Sequence, residues 1–289
     1  MMIRNLAQAF LFLSVAAPFY PAAAATPPQA SADAAIPPKT YLGFDRNFYP
    51  GDDALPMLRK TFSFTGYWLS PPPEEKTSTW LGKRALLIKE GFGFVVLYLG
   101  PAQKDLKSES DAAMKGQADG RAAADTAKRE GFSSGTVIFL DIEEGGRLPL
   151  AYHAYLRAWA DTLLASGYQP GVYCSAIGVN EGHGVVITTA SDIRTSESPR
   201  TIIFWVYNDA CPPAPGCATN DARRSPRSSG FPYASVWQFA QSPRRKELTP
   251  HCASAYARDG NCYAPGDAAH KWFLDLNTAN SPDPSNGAK

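Results

Sequence analysis

The sequence predicts an α/β fold, an irregular TIM-like (β/α) barrel with helices after its first strands and few helices among its closing strands. Eight short apolar runs recur along the chain, and the first of them alternate with segments of helical periodicity. Roughly 250 residues remain after an N-terminal leader, which is the usual size of one such barrel. We therefore expect one domain over residues 41–278.

The N-terminal 25 residues have the layout of a secretory signal peptide. A basic residue precedes the apolar run from Leu6 to Phe19, and the small residues Ala22 to Ala25 follow it. That run is short for a membrane span, so we expect cleavage near Ala25 and no stable membrane insertion afterwards. The mature protein is then secreted or periplasmic, in a bacterium.

Two further segments are predicted to lie outside the barrel. Residues 26–40 are rich in Pro and Ala and predict a disordered leader. Residues 279–289 follow the last apolar run and are expected to form a disordered tail.

Each apolar run has the length and the β-branched or aromatic content of a strand. Eight such runs favour a closed barrel. The runs are Tyr41 to Asp45, Phe64 to Leu69, Phe92 to Leu99, Thr136 to Glu143, Gly171 to Ser175, Ile202 to Tyr207, Ser235 to Ala240 and Trp272 to Asn277.

The helices between the first strands are predicted from apolar spacing and from glycine stops. Trp80 to Glu90, Ser110 to Glu130 and Pro149 to Gly167 have helical spacing and end at or beside a glycine. Residues 176–200 show little periodicity, and the two later connections are loops rich in Pro, Arg, Ser and Cys. The barrel is therefore expected to carry helices on its first half and loops on its last.

The charge balance argues against a protein that binds nucleic acid. Lys and Arg number 28, Asp and Glu 27, and the net charge is +1, which creates no field for a polyanion. Two basic clusters in the late loops are either solvated or contact anionic peptide stems or wall polymers. These clusters are Arg223, Arg224 and Arg227, and Arg244, Arg245 and Lys246.

Other chemistries find little support in the sequence. The four histidines lack HExxH or similar spacing, and no GxSxG motif is present. We therefore expect a monomer without a metal, a cofactor, or a serine or cysteine nucleophile.

Five cysteines in an exported protein allow two disulfides and one thiol. Proximity in sequence favours Cys211 with Cys217 and Cys252 with Cys262, although spacing does not fix connectivity. Cys174 lies alone within an apolar run and is expected to be buried and reduced.

Asp141 and Glu143 are predicted to share one face of the fourth strand, because residues two apart point the same way with Cα atoms about 7 Å apart. The other face is purely aliphatic and fits against helices, so the acidic face points into the barrel. Both carboxylates then lie at the C-terminal end of the strand, where barrel enzymes keep their chemistry. Glu144 is out of phase and is expected to be a loop or cap residue.

Asp45 and Asp275 should approach each other, because the first and eighth strands are neighbours in a closed barrel. With Asp141 and Glu143 they would ring one cavity and raise one another's pKa values, which separates a protonated acid from an anionic partner. Glycosidic cleavage needs that division. The alternative for each aspartate is a helix cap or an Asx turn.

Tyr98, Tyr173 and Trp237, near strand ends, are predicted platforms for sugar rings, and Asn277 is a predicted substrate-binding residue beside them. The alternative is that such aromatic residues fill the core, since a strand presents alternate side chains outward to helices.

An ordered set of motifs carries a family resemblance. GFD, FTGYWL, GQADGRAAADTAKREGF, TVIFLDIE, GYQPGVYCS, VWQFAQS and FLDLN follow one another over about residues 41–278. This order resembles the glycoside hydrolase family 25 lysozymes. It is more similar still to the bacterial family of glycoside-hydrolase-like domains of unknown function (DUF1906 type), which shares their barrel.

The resemblance implies an irregular barrel with helices after five strands and three closing strands without them. It implies that Glu143 is the general acid, that Asp141 assists or orients the substrate N-acetyl group, and that Asp45 and Asp275 complete the site. The implied substrate is the β-1,4-linked muramic acid backbone of peptidoglycan. Members of the glycoside-hydrolase-like family without established activity keep open an alternative, a catalytically inactive protein that binds glycans or the cell wall on the same barrel.

Overall fold

A computed structural model describes residues 39–209, 225–242 and 272–289. The predictions for the signal peptide, the leader, the paired cysteines and most of the basic clusters lie outside these residues. Each of the eight predicted runs overlaps one barrel strand. These are β1 (Tyr41–Asp45), β2 (Phe64–Trp68), β3 (Gly93–Leu99), β4 (Val137–Asp141), β5 (Gln169–Ser175), β8 (Ile203–Tyr207), β9 (Ala234–Ser242) and β10 (Leu274–Ala279). A separate hairpin follows β5 and consists of β6 (Val179–Gly182) and β7 (Val185–Ile187).

The eight strands form a closed barrel in the order β1-β10-β9-β8-β5-β4-β3-β2. The predicted fold class is thereby confirmed. All neighbours pair in parallel except β10, which runs antiparallel to both β1 and β9. Since β10 is reversed, its first residues lie at the C-terminal end of β1, and Asp45 pairs directly with Asp275.

One helix follows each of the first five strands. They are α1 (Leu55–Arg59), α2 (Arg84–Lys89), α3 (Glu109–Arg129), α4 (Leu150–Ala165) and α5 (Thr189–Ser196). In the described residues after β8 only a short 3-10 helix occurs, at Pro226–Ser229. The expected decay of helices along the barrel is confirmed. None of the helices in the described ranges is long and apolar enough to cross a membrane.

The start of one helix and the structure of one connection differ from the prediction. The segment Trp80 to Lys83 forms turns, because the Trp80 indole donates to the carbonyls of Arg46 and Asn47 at 3.2 and 3.1 Å, which holds this segment against the end of β1. Residues 176–200, which lack clear periodicity, contain the β6–β7 hairpin and α5.

The Ala-rich helix α3 is explained by its close approach to α4. A Cβ atom on Gly116 would lie 2.2 Å from the carbonyl oxygen of Tyr155, and one on Gly120 would lie 3.0 Å from that of Trp159. Larger side chains at either glycine would force the helices apart. This tight pair covers the outer face of the barrel and fixes the strands beneath it.

The predicted disordered tail, residues 279–289, is ordered in the structure. Asp283 Oδ1 accepts the backbone N–H of Phe94 at 2.9 Å, and the carbonyl of Ser285 accepts that of Val137 at 2.8 Å. Ser285 is fully buried. The tail closes the N-terminal end of the barrel, because the first backbone groups of β3 and β4 would otherwise lack hydrogen-bond partners.

Candidate functional site

The phase of β4 is as predicted. Phe139 contacts Trp205 of the non-adjacent strand β8, with ring centroids 5.6 Å apart, so both side chains lie inside the barrel. Asp141 is two residues beyond Phe139 and shares its face. Leu140 lies on the opposite, aliphatic face and is fully buried. Glu143 follows the strand by two residues and lies in the loop at the C-terminal end of the barrel.

Asp45 is held at the end of β1 by two amide side chains. Asn277 Nδ2 donates to its Oδ1 at 2.6 Å, and Gln238 Nε2 donates to the same oxygen at 3.2 Å. A Cβ atom on Gly66 would lie 2.7 Å from the Asp45 Cβ, so β2 needs a glycine beside this carboxylate. Burial raises the pKa of Asp45 to about 7, the Asn277 and Gln238 hydrogen bonds oppose the rise, and the charge of Glu143 adds to it.

Asp141 is 3% exposed, and its Oδ1 has no hydrogen-bond partner among the described residues. Burial raises the pKa of Asp141 well above its usual range, and the charges of Glu143 and Asp45 add to the rise. Such an unpaired buried oxygen is costly unless a ligand or a proton satisfies it. Burial therefore favours the neutral form of the Asp141 carboxyl in the free protein.

Glu143 forms the second half of this pair. Its side chain is exposed to solvent. The pKa of Glu143 is nevertheless raised, chiefly because surrounding protein atoms displace water from the carboxyl, and secondly by the charge of Glu144. A hydrogen bond between the two carboxyls raises the pKa of Asp141 and lowers that of Glu143. Burial favours the neutral form more strongly at Asp141 than at Glu143, because Glu143 remains exposed to water.

Asp275 joins the same cluster. Burial is the largest cause that raises the pKa of this half-buried residue well above its usual range. The charges of Asp45, Glu143 and Asp209 add to the rise, and the Arg46 guanidinium opposes it. The four predicted carboxylates therefore act on one another electrostatically. Arg46 is a member of the site that the sequence analysis missed, and its position directly after a strand-end aspartate was the available signal.

Two of the predicted substrate-binding residues lie in this cluster. The Tyr173 hydroxyl donates to Gln238 Oε1 at 2.8 Å, and the Tyr173 ring packs on Trp205 with centroids 4.8 Å apart. Asn277 accepts the Trp205 indole N–H at 2.9 Å in addition to donating to Asp45. One hydrogen-bonded chain thus links the aromatic wall to the carboxylates.

Tyr98 and Trp237 lie elsewhere. Tyr98 pairs in register with Leu140 on the face that meets the helices, where burial and Asp119 raise its pKa to about 12. Trp237 is 2% exposed, and its indole donates to the Asn208 carbonyl at 3.1 Å. Neither ring faces the carboxylates. The next residue in β9, Gln238, reaches the cluster, and a lone glutamine within an apolar strand was the signal for it.

Trp68 is a further residue of the barrel interior. It pairs in register with Leu97, which pairs with the inward Phe139, so its indole points inward. The indole is 3% exposed, and its Nε1 has no hydrogen-bond partner among the described residues. The inner face of the barrel therefore carries two buried polar atoms that could bind a ligand, the donor Trp68 Nε1 and the acceptor Asp141 Oδ1.

Other reactive groups lie apart from this cluster. Cys174 is free and fully buried, and burial raises the pKa of its thiol. Within the described ranges no three His, Cys, Asp or Glu side chains are arranged to hold a metal ion. A cavity of about 1020 Å³ between α5 and β8 is lined by Arg194, Phe231 and Tyr233 among others, and none of the four carboxylates borders it. The candidate site is therefore the carboxylate cluster, and this cavity lies outside it.

Comparison with known proteins gives one family match. Residues 72–210, which include Asp141 and Glu143, match the family model of the Rv2525c-like, glycoside hydrolase-like domain. The resemblance to this family that the sequence motifs predict is thereby confirmed over these residues. A search of curated proteins gives no match.

Solved structures with a similar fold come from several sources. The Tat-secreted protein Rv2525c of Mycobacterium tuberculosis is 15% identical, with 85% of this chain and 97% of that chain covered and a TM-score of 0.49. The catalytic domain of endolysin ply40 from bacteriophage P40 of Listeria monocytogenes is 16% identical, with 86% and 97% covered and a TM-score of 0.48. A family 25 glycosyl hydrolase from Bacillus anthracis is 10% identical, with 83% and 89% covered and a TM-score of 0.42.

Proposed function

We propose that this protein is an exported glycoside hydrolase that cleaves the β-1,4 linkage of N-acetylmuramic acid in peptidoglycan. The observation that carries the proposal is the placement of Asp141 at the C-terminal end of β4, with a buried Oδ1 that has no hydrogen-bond partner among the described residues, two residues before the exposed Glu143. Export is proposed from the signal-peptide layout of the first 25 residues.

The pair divides the two tasks of glycosidic cleavage. The exposed Glu143 is accessible to a leaving-group oxygen, whereas the buried Asp141 faces the barrel interior with one unsatisfied oxygen. When the N–H of a substrate acetamido group reaches Asp141, the shared proton passes to Glu143. Asp141 then becomes the anion that accepts this N–H, and Glu143 becomes the acid.

In the first step the bond between C1 and the leaving oxygen breaks, and Glu143 gives its proton to that oxygen. The acetamido oxygen of the substrate forms a bond to C1, while Asp141 stabilises the positive charge that develops on the acetamido nitrogen. In the second step water attacks C1, its proton passes to Glu143, and the bond to the acetamido oxygen breaks. The configuration at C1 is retained overall.

The remaining residues act on charge and orientation. Above its pKa of about 7, Asp45 places negative charge near the oxocarbenium-like transition state, and the Arg46 guanidinium favours the charged form of Asp275 against burial. Tyr173 offers an aromatic face for a sugar ring and is backed by the fully buried Trp205, and Asn277 and Gln238 fix the carboxylate of Asp45.

The test is mass spectrometry of purified peptidoglycan digested with the mature protein and its variants. We expect new reducing ends at muramic acid, and a loss of turnover of at least about 100-fold in Glu143→Gln, the usual scale of general acid catalysis. Asp141→Asn should be similarly damaging. Glu144→Gln is the matched control: its amide oxygen can still accept the backbone N–H of Gln103, and because it removes only a charge that adds to the raised pKa of Glu143, its effect on turnover should be small.

Two results would contradict this proposal. Binding of peptidoglycan without turnover by the wild-type protein would favour the inactive cell-wall-binding protein, since the fold survives loss of chemistry. Greater damage from Glu144→Gln than from Glu143→Gln would show that the acid is assigned to the wrong glutamate.

A further inference from the structure

The loop that carries Glu143 is attached to the N-terminal turn of α5. The Thr189 hydroxyl donates to the carbonyl of Glu144 at 3.0 Å, and Asp192 Oδ2 accepts the backbone N–H of Leu148 at 2.9 Å. Thr189 is fully buried and Asp192 is 3% exposed, so neither bond is exchanged readily for water. The loop is therefore fixed by α5 at two points.

These attachments bear directly on Glu143. On one side of it, Ile142 donates its backbone N–H to the Tyr173 carbonyl at 2.9 Å, and on the other side the Glu144 carbonyl is held by Thr189. Loss of the Thr189 bond would leave the backbone after Glu143 held only through the Glu144 side chain, which accepts the Gln103 N–H, and through the more distant Leu148.

The position of α5 is in turn fixed by a buried ionic contact with α4. His153 of α4 places Nε2 at 3.0 Å from Asp192 Oδ2 and Nδ1 at 3.2 Å from Glu197 Oε1. All three side chains are buried. A neutral imidazole has a single N–H, so only the imidazolium donates to both carboxylates.

Three arginines complete the charge balance around the imidazole. Arg147 lies 3.5 Å from Asp192, and Arg157 and Arg200 lie 3.2 and 3.7 Å from Glu197. All three guanidinium groups are partly solvated, so His153 is the buried cation of this group among the described residues. The hydrogen bond to Glu197 raises the pKa of His153, burial opposes the rise, and Asp192 adds to it.

We propose that His153, Thr189 and Asp192 are positioning residues for Glu143. The imidazolium binds α5 to α4, and α5 holds the loop that carries the acid. The activity readout of this proposal rests on the proposed glycoside hydrolase function, whereas its structural readout does not.

The contact depends on pH in one direction. A His pKa that is raised on folding contributes stability that is fully present below the unfolded value, near 6.5, and is lost as the pH rises through the folded value. Above it, two buried carboxylates face a neutral ring. The loop should therefore loosen on the alkaline side and remain fixed on the acid side.

The test compares Thr189→Val, which removes the hydroxyl without changing the shape, with Thr189→Ser, which keeps the hydroxyl. Amide hydrogen exchange of residues 142–148 should be about tenfold faster in Thr189→Val and unchanged in Thr189→Ser. On peptidoglycan, kcat should fall roughly tenfold in Thr189→Val, with KM within about twofold, because the acid is misplaced while the binding surface is kept. Thr189→Ser should keep the kcat of the wild type.

A second variant tests the imidazolium. After correction for the intrinsic rate, loop exchange in the wild type should accelerate as the pH rises from 6 towards 9. In His153→Gln it should be fast and independent of pH. If this variant does not fold, the valine and serine pair at position 189 decides the question.

The two proposals fail in different ways. Absence of turnover in the wild type would overturn the proposed function, and the exchange rates would still decide the positioning role. Equal exchange rates in wild type, Thr189→Val and Thr189→Ser would overturn the positioning role. Unchanged kcat in Thr189→Val, in an enzyme that turns over, would do the same.

Discussion

Replacement of Asp45 by Asn should stabilise the protein at alkaline pH. The carboxyl is buried, and its pKa rises from 3.8 to about 7 on folding. The folded protein therefore binds this proton more tightly than the unfolded chain, and the stability contributed by the group falls as the pH rises between these two values. Above pH 7 a buried charge remains, and Asn removes it.

The size of the effect follows from the same pKa values. A rise of this size corresponds to a ceiling of about 4 kcal/mol. Part of it is lost in the variant, because the Asn carbonyl accepts the amides of Gln238 and Asn277 less strongly than a carboxylate does. We expect a net gain of about 1–3 kcal/mol at pH 8, which is roughly 3–10 °C in Tm for a domain of this size.

The assay is thermal unfolding of the mature chain and the variant at pH 4 and pH 8. At pH 4 the carboxyl is protonated in the folded protein and about two-fifths protonated in the unfolded chain, so most of the penalty is absent and the two Tm values should differ little. Asp161→Asn is the matched control of opposite sign, since Arg200 lowers the pKa of Asp161 through two hydrogen bonds of 2.9 Å. That exposed pair is worth under about 1 kcal/mol, and its loss should lower the Tm slightly at pH 8.

A Tm for Asp45→Asn at pH 8 equal to or below that of the wild type would refute the reasoning. A gain of the same size at both pH values would also refute it, because the stabilisation would then not depend on ionisation of the carboxyl. Turnover should fall in the same variant, since the proposed mechanism uses the charge of Asp45, and stability and activity would then change in opposite directions.

Three further predictions concern the site and the leader. The raised pKa of Glu143 keeps the acid protonated towards neutral pH, so kcat on peptidoglycan should fall as the pH rises above it, and a rise would contradict the assignment. Tyr173→Phe should lower glycan affinity several-fold by calorimetry, whereas Trp237→Phe should lower Tm and leave affinity unchanged. N-terminal sequencing of the exported protein should begin near Thr26, and an intact Met1 would exclude cleavage.

The sequence located the strands because their signal is local. Side chains alternate along a strand whatever its partners are, so the apolar face of β4 predicted the direction of Asp141 without any neighbour. Glycine stops likewise marked the ends of α3 and α4, since Gly131 and Gly167 adopt positive φ angles of 82° and 86°. These features require only the chain itself.

The inward side chain of β9 was predicted wrongly, because it depends on the pairing of β9 with its neighbour and not on the local sequence. The pairing of β9 with β10 shifts register between Leu276, which pairs with Ala240, and Asn277, which pairs with Gln238. Such an irregularity reverses the face on which each later residue lies, and only the pairing reveals it. This is why Gln238, and not Trp237, reaches Asp45.

The sequence by itself therefore determined the barrel, the order of its strands and helices, and the carboxylate positions on single strands. The tertiary structure decided the reversed direction of β10, the ordering of the tail by Asp283 and Ser285, and the fixing of the Glu143 loop by α5. Each of these depends on backbone groups that find partners far away in the chain. No local periodicity encodes such partners. The buried polar groups obtain their hydrogen bonds only when the closed barrel brings distant segments of the chain together.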